Sequence, residues 1–169
     1  MSSPNRRTIR WTRRRHAQSI AHDRERRPRA RGARDVRYLL DTNVLSDFVR
    51  GDADVARRFK TTRPEDIAVS TITLMEIDYG IALQPARGRK LGPLLDAIVE
   101  SVHVLPFSRA DARAAGAVRA ALRKRGRPIG PYDVLLAGSA LARGLTFVTA
   151  NLGEFQRVDG LSVESWRRG

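Results

Sequence analysis

The chain alternates between short apolar runs and longer stretches whose apolar residues recur at helical spacing, and this alternation begins abruptly at Val36. "VRYLL" is a short apolar run of the kind that forms a buried strand, and "NVLSDFVRG" behind it reads as a helix closed by Gly51. A second short helix is predicted over "ADVARRFK", a buried strand over "IAVS", and a helix over "TITLMEIDYGIAL" that stops before Pro85. Residues 88–100 read as helical, "VHVLPF" as a strand, and "SRADARAAGAVRAALRKRG" as an alanine-rich helix ended by Gly126. The loop "RPIGP" leads into a helix over "PYDVLLAGSALARG", a strand over "LTFVT", a loop over "ANLGEF" and a last short strand before Trp166. Short apolar strands separated by helices predict βαβ units, and hence an α/β fold whose parallel sheet is covered on both faces.

Residues 1–35 break this pattern. They show almost no hydrophobic periodicity, and "RERRPRARGARD" is arginine interrupted by Pro28 and Gly32. So little apolar surface cannot offset chain entropy, so the expectation is a disordered extension over 1–35 and one folded domain over 36–169. Of the net charge of +14, residues 1–37 supply +10, from thirteen arginines against Asp23, Glu25 and Asp35. Two readings of the extension stand: translation begins near Val36 and the segment is dispensable, or it is a basic arm that binds RNA.

Composition removes several classes of chemistry. Without cysteine there is no disulfide, thiolate zinc site, iron–sulfur cluster or thiol nucleophile. No apolar run approaches the length of a membrane span, and the arginine-rich start has no signal-like apolar core, so the expected location is the cytoplasm. The three histidines lie in the extension (His16, His22) or before a strand (His103), which leaves a histidine triad or zinc site without parts. "GRPIGP" and "RGRKLGP" lack the Gly-Lys-Ser/Thr ending of a phosphate-binding loop.

Three carboxylates stand where ligands gather in parallel α/β folds, beyond the carboxyl ends of strands and at the starts of helices. Asp41 follows the first strand, where it serves equally well as a helix cap. Glu76 projects onto the same helical face as Tyr79 and Leu83, an unusual place for a charge unless it meets a partner or a cation. A salt bridge to one of the many arginines is the other reading of Glu76, and Asp78 is an alternative on the same helix. Asp133 falls in the first turn of its helix, two residues after Pro131, where a carboxylate suits the macrodipole and the same helix end favours phosphate. Acids without histidine or cysteine form a hard-oxygen set that selects Mg²⁺ or Mn²⁺.

The stretches "LLDTNVLSDF", "VSTITLMEIDYGI", "PYDVLLAGSALARG" and "FVTANLGEF" occur in an order and at separations that resemble PIN-domain ribonucleases, and within them the VapC toxins of type II toxin–antitoxin pairs. The resemblance implies a three-layer α/β/α fold and a Mg²⁺-dependent endoribonuclease with Mn²⁺ as a substitute ion. It makes Asp41, Glu76 and Asp133 the catalytic, metal-holding acids and Thr149 their support. It also implies an RNA substrate, a cognate antitoxin, a homodimer and no membrane partner. Val44, Leu45, Phe48 and Val49 become candidates to receive an antitoxin segment, although core packing explains them as well. Two features depart from the family: Asn151 stands where a fourth acid is common, with Glu154 three residues on as a replacement acting through water, and the arginine-rich extension is foreign to the compact pattern. The departure at Asn151 keeps a second reading open, a PIN-like module that binds RNA through its basic segments, such as "RKRGR" at 123–127, without cutting it.

Overall fold

The computed structural model describes residues 36–168, so the extension expected over 1–35 lies outside the described residues. Five parallel strands, β1 (Tyr38–Leu40), β2 (Ile67–Ser70), β3 (His103–Leu105), β4 (Thr146–Val148) and β5 (Val163–Glu164), form one sheet in the order β3-β2-β1-β4-β5. Between them run α1 (Thr42–Val49), α2 (Ala53–Thr61), α3 (Thr71–Leu83), α4 (Pro85–Ser101), α5 (Arg109–Lys124), α6 (Pro131–Arg143) and the single turn α7 (Leu152–Phe155). None of the described helices is long and apolar enough to cross a membrane.

Strand alternation sorts the core into two layers. Leu39, Ala68 and Phe147 face one side with Val118 and Leu122 of α5, Leu136 and Ala140 of α6 and Phe155 of α7. Their neighbours Leu40, Val69 and Val148 face the other side with Val44 and Leu45 of α1, Val55 of α2 and Ile98 of α4. The result is the expected three-layer arrangement, with the central strands buried on both faces as a parallel sheet requires.

Local chemistry starts and stops the helices. Asp41, Asp52 and Ser70 accept backbone N–H groups as N-caps, Ser108 and Asp111 form a reciprocal capping box, and Pro131 occupies the first position of α6. Gly144 ends α6 in the left-handed region at φ 65°. Strands β1 and β3 are shorter than expected, with Val36 and Arg37 outside the first and Pro106 and Phe107 outside the second, and two further differences concern helices. The helix predicted over 88–100 starts at Pro85, because proline needs no N–H at a first position and so opens the helix as well as ending its predecessor. "ANLGEF", predicted as loop, contains α7, a turn too short to show periodicity.

Helices α5 and α6 run antiparallel, since Asp111 at the start of α5 pairs with Arg143 at the end of α6 at 2.7 Å. Gly138 makes this approach possible: a Cβ there would lie 2.5 Å from the Ala115 backbone nitrogen and 2.6 Å from its Cα. A backbone contact cannot yield as a flexible side chain would. Gly138→Ala should therefore cost about 1–3 kcal/mol by overpacking, read in a thermal melt as a drop of several degrees in Tm.

Candidate functional site

The strand order reverses between β1 and β4, and in open α/β sheets that switch point opens a crevice at the carboxyl edge. Asp41 follows β1 and Thr149 follows β4, so the two meet there. The sheet ladder continues one step past β1 through Asp41 N–H donating to Val148 O at 2.9 Å, and this fixes the backbone that carries the acid.

Hydrogen bonds hold the Asp41 carboxylate from both sides. Oδ1 accepts the Thr42 N–H at 2.7 Å as a helix cap, and Oδ2 accepts Thr149 Oγ1 at 2.7 Å and Asn43 Nδ2 at 2.5 Å. The capping reading of Asp41 thus describes one oxygen only. Asn43 spans the crevice, because its Nδ2 also lies 3.1 Å from Thr149 Oγ1 while its Oδ1 accepts the Ala150 N–H at 3.0 Å. This role was not visible in the sequence; the one signal for it is an amide two residues behind a strand-ending acid.

Glu76 reaches the crevice from α3, where its Oε2 accepts the Thr42 hydroxyl at 2.5 Å. The stripe used to place it in the sequence is not core: Tyr79 and Leu83 are each 63% exposed. Glu76 sits at the border between that exposed face and the buried one, and Thr42 rather than an arginine is its partner. Asp78 is not among the residues that line the crevice.

Asp133 enters from the first turn of α6 and lines the same cleft as Asp41, Glu76 and Asn151. Glu154, from α7, lies against Asp133 closely enough that repulsion and a shared hydrogen bond raise the Asp133 pKa. Asn151 is exposed at the start of α7, and its N–H donates to Thr149 Oγ1 at 3.0 Å. Of the antitoxin candidates, Val44 and Leu45 are 2% and 0% exposed and belong to the core, whereas Phe48 and Val49 keep exposed surface.

Three acids and one cation, Arg50, line the cleft, so its charge is predominantly negative. Burial pushes the Asp41 pKa up to about 6; the Thr149 and Thr42 hydrogen bonds oppose the rise, and Asp133 and Glu76 add to it. Asp133 is also raised, by burial first and then by Glu154 and Glu76. The donor set is all oxygen, which suits Mg²⁺ or Mn²⁺. Among the described residues no three carboxylates close around a single point as a direct cage.

The sign of the pH dependence follows. An acid whose folded pKa is raised destabilises the fold once it ionises, so this cost sets in as pH rises from the unfolded value of 3.8 and is complete above about 6. Without divalent ions, Tm should rise as pH falls from 7 toward 5. Asp133→Asn, which removes one repelling charge, should raise Tm at pH 7 by a few degrees and flatten the trend. Scanning calorimetry in chelator checks both; a Tm that falls steadily over this range would contradict the crowded-acid geometry.

The PIN-domain family model matches residues 38–161. The chain is 37% identical over 132 residues to the tRNA(fMet)-specific endonuclease VapC of Shigella flexneri, a match covering 78% of this chain and 98% of that protein. The structure superposes on DNA-bound VapBC from Salmonella typhimurium with a TM-score of 0.72 at 34% identity, covering 78% of this chain and 99% of that one. VapBC2 from Rickettsia felis, bound to a promoter DNA fragment, gives 0.70 at 28% identity, over 77% of this chain and 98% of that one. With a family match over most of the chain and an acidic crevice at the sheet's switch point, this protein belongs to the PIN-domain family, as a ribonuclease toxin of the VapC type.

Proposed function

We infer that this ribonuclease hydrolyses RNA internally with Mg²⁺, held by Asp41, Glu76 and Asp133, and that Mn²⁺ can replace it. The observation that carries this reading is the meeting of three acids from three different elements in one cleft, two of them with raised pKa values. Bound there, the ion would neutralise phosphate charge and activate water. The chain's own residues supply placement. A carboxylate offers about four lone-pair sites, and the protein uses three at Asp41, which leaves one directed to a cation. Thr42 fixes Glu76, and the amino end of α6 beside Asp133 favours a phosphate. Glu154, beside Asp133, takes the place of the missing fourth acid, while Asn151 adds a neutral amide at the rim.

The Shigella relative's name makes a tRNA the first substrate to test. The solved relatives are toxin–antitoxin complexes, and a cognate antitoxin segment fits the apolar cleft between α1, α2 and α4, where Phe48, Phe59, Leu94 and Ile98 stand. We read residues 36–169 as the folded domain, acting in the cytoplasm where its RNA is, and 1–35 as an extension outside it.

Chelation should abolish cleavage, added Mg²⁺ or Mn²⁺ should restore it, and Asp41→Asn should reduce it to background in a folded protein. Asn43→Ala leaves the acid in place but loosens it, so metal affinity or activity should fall by about 10–100-fold. Cleavage undiminished in chelator would overturn the metal-dependent reading, and RNA binding without cleavage under any divalent ion would favour the non-cutting RNA binder.

The exposed face of α3, with Met75 38%, Tyr79 63% and Leu83 63% exposed, is the surface we assign to a second copy of the chain. Tyr79→Glu with Leu83→Glu should convert a dimer to a monomer in sedimentation, with the fold retained by circular dichroism and a Tm that no longer depends on protein concentration. A wild-type monomer at micromolar concentration would remove the assignment.

A further inference from the structure

A second groove opens from the acidic cleft and runs along α1 to the start of α4. Thr42, Ser46, Arg50 and Glu76 line both cavities, so the two adjoin along these side chains as a channel. Farther from the acids the walls are Val49 on α1, Ile77 and Ile81 on α3, and Arg87 and Leu91 on α4. We propose that this channel is the track of the RNA strand, with Arg50 and Arg87 each holding a backbone phosphate. The proposal rests on the nuclease reading above and adds to it the route by which a polyanion reaches an anionic site.

Charge carries the argument. Asp41, Glu76 and Asp133 repel a phosphate chain, so an approach to them needs fixed cations close by. Arg50 is the cation that borders the acidic cleft itself. Its carboxylate partner, Asp47, does not depend on it: Arg167 Nε and Nη2 bind the two Asp47 oxygens at 2.6 Å each. Two guanidiniums therefore share one carboxylate, and positive charge remains at the channel wall. The Arg50 side chain is 50% exposed. Arg87 is exposed and forms no ion pair among the described residues. Guanidinium matches phosphate with paired hydrogen bonds, and the aliphatic walls between the two arginines offer van der Waals contact without sequence preference.

Gly80 supplies the critical test. It lines the channel from the last turn of α3, and a Cβ built there meets no atom within 4 Å. A larger side chain at this helical position obstructs the channel without straining the fold, and replacing a helical glycine favours the helix.

The experiment uses the full chain and a short, fluorescently labelled single-stranded oligoribonucleotide, titrated in chelator over a series of salt concentrations. Arg50→Ala and Arg87→Ala should each flatten the plot of log affinity against log salt by about 0.7, one phosphate contact on a single strand. The arginines of residues 1–35 contribute equally to every variant and cancel in the difference. Gly80→Leu should keep or raise Tm and weaken binding at least severalfold. With Mg²⁺ present, all three variants should raise KM with kcat nearly unchanged. Unchanged affinity and slope in the Arg87 and Gly80 variants would overturn the proposal and leave the channel to a protein segment. A lower Tm in Arg50→Ala with RNA binding intact would remove Arg50 from the track. RNA binding that depends on the channel without any Mg²⁺-dependent cleavage would defeat the nuclease reading instead, and cleavage indifferent to the channel would defeat the track alone.

Discussion

Everything at the working end of this protein depends on forcing like charges together. Asp41 is crowded by Asp133 and Glu76 across a partly buried cleft, and burial makes the ionised forms of Asp41 and Asp133 costlier still. Such an arrangement persists only where the surrounding structure over-determines it. Here the sheet ladder fixes the Asp41 backbone, two hydroxyls and an amide fix the Asp41 and Glu76 side chains, and a helix start fixes Asp133. The fold stores electrostatic cost in the cleft and meets it with cohesion in the two apolar layers on either side. A divalent ion held there, as proposed, would relieve that cost directly and so stabilise the fold.

The two layers divide the labour. On one side α5, α6 and α7 pack against Leu39, Ala68 and Phe147, and this face delivers Asp133 and Glu154. On the other side α1 and α4 pack against Leu40, Val69 and Val148, and with α3 they border the groove beside Glu76. The cleft lies where the two sets meet, and Thr149 and Asn43 tie the halves together at the strand ends.

Most of the fold was legible because strands buried on both faces write themselves as short apolar runs, and because caps such as Ser70 and Ser108 and the stop at Gly144 leave local marks. Sheet order left no such mark, since no residue announces that β4 pairs with β1. Asp41 and Asp133 were visible because their positions at element ends are local facts. Glu76 was found through a projection whose flanking residues, Tyr79 and Leu83, are exposed, so the stripe described a surface rather than a core. The role of Asn43 left no mark because two of its partners are remote: it reaches Thr149 and Ala150 across more than 100 residues. Single-sequence periodicity carries no signal across such distances.

The clasp of Arg167 on Asp47 also bears on the order in which the molecule is completed. Helix α1 holds Asp41 at its amino end and is anchored near its other end by a guanidinium 120 residues later in the chain. Trp166, 5% exposed, seals the same flank against Phe59 at 5.2 Å and Tyr38 at 5.7 Å. During synthesis these contacts cannot form until the last strand has left the ribosome, since chains fold from the amino terminus as they emerge. A nascent chain thus carries its acids before the frame that holds them is finished, and a ribonuclease born beside translating RNA stays incomplete until residues 166 and 167 have emerged.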